Sequence, residues 1–115
     1  MIILNPKDGK KDHFVWKPLS DTKKNKKGQY IPVVLFPRKW ADPKKFASVE
    51  IQKDGIRVAK LKFVYHWLED KKPKRQVWRC EVAAKDLPKN VVVVAKDGKG
   101  GVFAWPIKDP TKRVD

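Results

Sequence analysis

Apolar and polar positions alternate over short stretches of this chain. The stretches are separated by proline, glycine, aspartate and asparagine at intervals of roughly ten residues, the pattern of an antiparallel all-β domain. Over residues 13–17, Phe14 and Trp16 fall on one face and Pro18 ends the run. Residues 30–36 are almost continuously apolar. Pro32 interrupts them and Pro37 closes them, which predicts a strand whose first residues lie at an edge or a bulge. Residues 48–53 put Val49 and Ile51 together. Asp54-Gly55 then predicts a type I′ hairpin turn, because that turn needs positive φ, which glycine accepts without steric cost. The returning strand begins with apolar residues at even positions (Ile56, Val58) and continues at odd ones (Ala59, Leu61, Phe63, Tyr65, Trp67). One extra residue has to be absorbed near Val58 and Ala59, which predicts a β-bulge there.

After a charged loop over residues 68–75, residues 76–82 set Trp78, Cys80 and Val82 against Val77, Arg79 and Glu81. Antiparallel pairing of the two inward sets predicts that Trp67 faces Trp78, Tyr65 faces Cys80 and Phe63 faces Val82. The outer face then carries Lys60, Lys62, Val64 and His66 beside Val77, Arg79 and Glu81. Residues 90–95 contain four consecutive valines, as in a strand covered on both faces. Asp97-Gly98-Lys99-Gly100-Gly101 turns the chain into residues 102–107, where Phe103, Trp105 and Ile107 share a face. The best helix signal, Asp42-Pro43-Lys44-Lys45-Phe46-Ala47, allows one turn at most, since Val49 and Ile51 already alternate as in a strand. About seven strands fit a single immunoglobulin-like antiparallel β-sandwich over residues 1–115 better than a five-stranded barrel with its usual helix.

Composition supports a folded domain: 41% of the residues are hydrophobic, and 5 Phe, 5 Trp and 2 Tyr supply large apolar units. No apolar run approaches the roughly 18 residues of a membrane span. Met1-Ile2-Ile3-Leu4 is too short, and too soon followed by Pro6, Asp8 and Lys10, to read as a signal peptide, so cytoplasm or virion is the expected location. Cys80 is the one cysteine, which excludes an internal disulfide. With His13 and His66 far apart in sequence there is no zinc spacing, so neither metal nor cofactor is expected.

The inventory for catalysis is thin. Cys80 alternates with Trp78 and Val82 on an inward face, where a free cysteine behaves as a small hydrophobe and not as an activated thiolate. Many aspartates stand in turn contexts such as Asp8-Gly9, Asp54-Gly55 and Asp109-Pro110. The 97–101 loop lacks the spacing of a phosphate-cradling loop and precedes a strand, not a helix. An enzyme is therefore not expected. Four of the five tryptophans (Trp16, Trp67, Trp78, Trp105) fall on the apolar parity of a strand, which leaves little of the exposed platform that a neutral sugar would need.

Charge changes the picture. Lys and Arg number 28 against 13 Asp and Glu, a net +15. Such an excess destabilises the compact state by self-repulsion and accelerates association with any polyanion. The cations cluster at Lys7, Lys10 and Lys11; at Lys23, Lys24, Lys26 and Lys27; at Arg38, Lys39, Lys44 and Lys45 around Trp40; and at Lys71, Lys72, Lys74 and Arg75. Lys60, Lys62 and Arg79 form a further patch on the sheet. Apart from the 7–11 group, these residues, with Trp40 as the aromatic contact, are the candidate polyanion-binding site. Lysine far outnumbers arginine, and lysine acts as a mobile point charge, so sequence-specific reading of DNA is not expected.

Phe14-Val15-Trp16-Lys17-Pro18, Val33-Val34-Leu35-Phe36-Pro37, Val77-Trp78-Arg79 and the closing Trp105-Pro106-Ile107-Lys108-Asp109-Pro110-Thr111-Lys112-Arg113 resemble small immunoglobulin-like β-sandwich domains of phage structural proteins and of accessory modules on secreted enzymes. The resemblance implies a non-catalytic attachment or decoration role and transfers no ligand residue. Together with the charge it points to a binding module for an acidic surface: a virion shell or other acidic protein, or an anionic polysaccharide. The alternative is a non-specific nucleic-acid-binding protein. An open edge beside residues 30–36 would let a second copy add a strand and form a homo-oligomer.

Overall fold

The computed structural model describes residues 14–18, 27–36, 46–69 and 72–114 and the short strand Ile2–Ile3; for 65–69 and 72–75 it gives the course of the backbone. The described strands are β1 (Ile2–Ile3), β2 (Val15–Lys17), β3 (Val33–Leu35), β4 (Ser48–Lys53), β5 (Ile56–Glu69), β6 (Lys72–Cys80), β7 (Val91–Lys96) and β8 (Val102–Ile107). A 3₁₀ turn over Ala84–Asp86 joins β6 to β7. Among the described residues there is no α-helix, and no helix is long and apolar enough to cross a membrane. The candidate helical turn over residues 42–45 lies outside the described residues; Phe46 and Ala47, at its end, are not helical.

The all-β expectation is met, with one difference of architecture. All eight strands hydrogen-bond into one curled sheet, a half-barrel, in the order β1-β8-β7-β4-β5-β6-β3-β2, instead of dividing into two sheets. Every pairing is antiparallel except that of β1, which runs parallel to β8 with Ile2 opposite Phe103. The curl has a local cause. Ile51 pairs with Ala59 and Gln52 with Arg57, so Val58 is the extra residue of the expected bulge. A second bulge leaves Val64 unmatched between Phe63–Trp78 and Tyr65–Val77. Each bulge bends its strand and increases its twist, and both lie on the long central strand β5. The hairpin turn between β4 and β5 is as expected, with φ of 51° at Asp54 and 79° at Gly55.

Curling wraps one face of the sheet around an aromatic interior. Phe46 packs between Phe103 and Phe36, and Phe36 meets Phe14 at 5.2 Å and Trp78 at 6.4 Å between ring centroids. Phe14, beside β2, lies 5.4 Å from Trp105 of β8, so residues from opposite ends of the strand order touch. The C-terminal segment closes the gap. Trp16 and Val114 exchange backbone hydrogen bonds of 2.8 and 3.1 Å, and the Trp16 indole N–H donates to the Pro110 carbonyl at 2.7 Å. The opposite face is also partly covered, since Val15, Val33, Leu35 and Val77 form a second buried cluster.

Three local expectations need correction. β3 is not at an edge: it pairs with β6 on one side and β2 on the other, which removes the strand-addition site expected beside residues 30–36. Pro32 stands just before the strand and contributes only its carbonyl, to the Cys80 N–H at 2.9 Å, so its missing donor costs nothing. Residues 68–75 are not a loop either. The ladder continues to Glu69 opposite Lys72, which places Lys72, Lys74 and Arg75 in β6. The register differs from the expected one by four residues at Phe63 and, past the bulge at Val64, by three at Trp67. Phe63 faces Trp78, Leu61 faces Cys80, and Trp67 faces Arg75.

The 97–101 turn is held by its own side chain. Asp97 Oδ1 accepts the Lys99 N–H at 2.8 Å and the Gly101 N–H at 2.7 Å, so these amides are not turned outward to cradle a phosphate. A Cβ on residue 101 would overlap the Asp97 carboxylate. Gly101→Ala is expected to lower stability by about 1–3 kcal/mol, the usual cost of overpacking. Urea unfolding followed by circular dichroism measures it, and a midpoint within error of the wild type would refute this account of the turn.

A candidate anion-binding groove on the outer face of the sheet

The antiparallel ladder between β5 and β6 places Lys62 directly opposite Arg79, on the face away from the aromatic interior. Like charges facing each other across a ladder destabilise it. Among the described residues no carboxylate forms an ion pair with Lys60, Lys62 or Arg79; the salt bridge nearby joins Lys96 to Glu50 at 3.7 Å. Glu50 stands directly opposite Lys60 in the β4–β5 ladder, and Glu81 Oε1 accepts the Lys60 backbone N–H at 2.9 Å, while the Glu81 N–H donates to the Lys60 carbonyl at 3.1 Å. Lys60, Lys62, Arg79 and Glu81 line a groove of about 610 Å³ with Leu61, Phe63, Val64 and Cys80. Lys60 and Lys62 are exposed, whereas Arg79 is partly buried and its Nε is shut off from solvent, with no hydrogen-bond acceptor among the described residues. A guanidinium N–H in that position is one short of its usual complement.

The other proposed contact residues divide into three groups. Lys27 is described and exposed. Lys72, Lys74 and Arg75 have their backbone in β6, which with β5 continues as a two-stranded ribbon beyond the last pairings made by β4 and β3. Lys23, Lys24, Lys26, Arg38, Lys39, Trp40, Lys44, Lys45 and Lys71 lie outside the described residues. The structure therefore brings together Lys60, Lys62 and Arg79.

It also shows a basic groove that sequence reasoning missed. Lys89, Asn90, Lys108, Asp109, Lys112, Arg113 and Val114 line a space of about 510 Å³ where the C-terminal segment leaves β8. The signal lies in the charges of Lys108, Lys112 and Arg113, within the closing segment that resembles the sandwich domains. Asp109 is occupied there: its Oδ1 accepts the Thr111 hydroxyl at 2.6 Å and the Thr111 N–H at 3.0 Å. Those two hydrogen bonds, followed by the positive charge of Lys89 and Lys112, hold its carboxyl below the ordinary range.

Cys80 is 2% exposed, and burial pushes its thiol pKa up, against smaller opposing hydrogen bonds from the Val82 and Glu81 backbone. A nucleophilic cysteine needs the opposite shift. Among the described residues no three His, Cys, Asp or Glu side chains are grouped to hold a metal ion.

No protein-family model, curated protein or solved structure matches the chain.

Proposed function

We propose that the protein is a non-catalytic attachment module that binds a polyanion, with the Lys60, Lys62 and Arg79 groove as its described contact. The observation that carries this reading is the placement of Lys62 directly opposite Arg79 in the β5–β6 ladder, with no ion pair to either among the described residues. Two cations held opposite each other in a ladder give up stability that an incoming anion restores. The net charge of +15 supports the same reading, as does the resemblance of four segments to small immunoglobulin-like attachment domains. An acidic protein surface, such as a virion shell, and an anionic polysaccharide are the partners this implies. Nucleic acid is the second reading, favoured by the arginine in the groove, because a guanidinium fork matches phosphate oxygens in a way that an ammonium does not.

Retention on a sulfated-polysaccharide resin tests the reading. The wild type is expected to bind at about 50 mM salt and elute as screening increases. The double variant Lys60→Ala, Lys62→Ala is expected to elute earlier than the equally charged control Lys85→Ala, Lys99→Ala, whose lysines are exposed on loops outside the groove. Equal elution of the two variants would remove the groove from the proposal. Failure of the wild type to bind would remove the proposal itself.

A further inference from the structure

We infer that the basic groove where the C-terminal segment leaves β8 is a site for an oligophosphate, two or more linked phosphate groups, and that its occupation tightens the closure of the sheet. The site is separate from the Lys60, Lys62 and Arg79 groove and does not depend on the polyanion reading above.

The walls come from two parts of the chain. Lys89 and Asn90 lead into β7, with Asn90 at φ 58°, the left-handed conformation that asparagine tolerates better than most residues. Lys108, Asp109, Lys112 and Arg113 follow β8. Backbone contacts fix the two walls against each other. Val91 pairs with Ile107 at the end of the β7–β8 ladder, the Asn90 N–H donates to the Lys108 carbonyl at 2.8 Å, and the Lys112 N–H donates to the Asp109 carbonyl at 3.1 Å. A ligand therefore has only side chains to order.

The one carboxylate of the groove is already committed. Asp109 Oδ1 accepts both Thr111 hydrogen bonds inside its own turn, and among the described residues Lys89, Lys108 and Lys112 form no ion pair. Lys89 stands on one wall and Lys112 on the other. After the Thr111 hydrogen bonds, both help to hold the Asp109 carboxyl below its ordinary range, so their fields meet in the space between the walls.

Size and charge select the ligand. The groove encloses about 510 Å³, the scale of a small-molecule site and more than a single tetrahedral anion fills. Lys89, Lys108, Lys112 and Arg113, all exposed, against Asp109 leave three positive charges in excess, about the charge that pyrophosphate carries near neutral pH. Lysines dominate, and lysine binds phosphate as a point charge in no fixed direction, whereas a planar carboxylate gains more from an arginine fork. The same cations repel one another beside the seam that closes the sheet, where Pro110 accepts the Trp16 indole N–H and Val114 bridges to Trp16. An anion held between Lys89 and Lys112 replaces that repulsion with attraction and ties the C-terminal segment to the start of β7.

The test is the thermal unfolding midpoint, measured by differential scanning calorimetry with pyrophosphate, orthophosphate or citrate at fixed ionic strength. Pyrophosphate at about 1 mM is expected to raise the wild-type midpoint by about 5 °C, the shift for a ligand at about ten times its dissociation constant in a domain of this size. Orthophosphate and citrate at the same concentration are expected to give less than about half of that shift. Lys108→Ala, Lys112→Ala removes repulsion, so without ligand it is expected to unfold no earlier than the wild type and to lose most of the response to pyrophosphate. The equally charged control Lys85→Ala, Lys99→Ala, outside the groove, is expected to keep that response. Equal responses of the two variants would assign the stabilisation to overall charge and overturn the site. A citrate response as large as that of pyrophosphate overturns the phosphate assignment, and an equally large orthophosphate response overturns the need for linked groups. No shift of the wild type refutes the inference, while retention on the sulfated resin still decides the polyanion reading separately.

Discussion

Trp16→Ala is expected to leave much of the population unfolded at 25 °C. Trp16 is fully buried, stands on β2 at one end of the strand order, and joins the sheet to the C-terminal segment through its backbone and its indole. Truncating a buried tryptophan to alanine costs about 3–5 kcal/mol in transfer and cavity terms, while a domain of this size has a total stability of about 5–15 kcal/mol. The variant also leaves the Pro110 carbonyl without its donor, at about 1–3 kcal/mol if no water replaces it. Trp16→Phe keeps one aromatic ring in the core and loses the N–H together with the second ring of the indole. It is expected to lose no more than about half as much as the alanine variant. Urea unfolding monitored by circular dichroism gives both numbers. A loss below about 1 kcal/mol for Trp16→Ala would mean that the seam contributes little to holding the sheet curled.

The second large effect concerns the thiol. Cys80 lies on the inner face of β6, opposite Leu61, and is 2% exposed. A thiol-specific reagent is expected to react with the native protein at least about a thousandfold more slowly than with the urea-unfolded chain, since reaction requires an opening that costs several kcal/mol. Burial raises its folded pKa above the unfolded value. The folded state therefore holds this proton more tightly, and the associated stability is fully present below the unfolded pKa of about 8.5. It is lost as pH rises through that value toward the folded pKa. Cys80→Ala is expected to flatten the decline in stability above about pH 8.5. Rapid labelling of the native protein near neutral pH would contradict the burial argument and reopen a catalytic role for this cysteine.

How much of this could be read from the residues depends on the range of the physics involved. The switch of apolar parity between Val58 and Ala59 is a local property, and the bulge falls at Val58. Asp54-Gly55 is equally local, as are the inward sets Val49 and Ile51, and Trp105 and Ile107, all of which are buried. Register across a hairpin is not local. Charge over residues 68–75 suggested a loop, but a two-stranded ribbon accepts lysines wherever their side chains can reach water, and every added pair satisfies backbone donors and acceptors. The ladder therefore runs to Glu69 and Lys72. The curl was hidden for a related reason: periodicity tells which residues share a face, not whether that face packs on a second sheet or closes on itself. The same limit applied to the site. Alternation was enough to place Lys60, Lys62 and Arg79 together on the outer face. The buried Nε depends on what surrounds Arg79 in space, and the groove at Lys89 and Lys108 forms only where the C-terminal segment leaves β8.

The contact between Trp16 and Pro110 joins residues 94 positions apart. Closing so long a loop is entropically late, because the intervening chain must be ordered first for the two ends to meet at low cost. During synthesis, the half of the sheet that contains Trp16 must therefore wait, with an indole and its neighbouring aromatics uncovered, until Pro110 has left the ribosome. The meander of β4, β5 and β6 has no such delay, since its turns are short and each pairing forms as soon as the next strand is made. Co-translational folding should thus begin in the middle of the chain, and the period before the seam forms is when aggregation competes most strongly with folding.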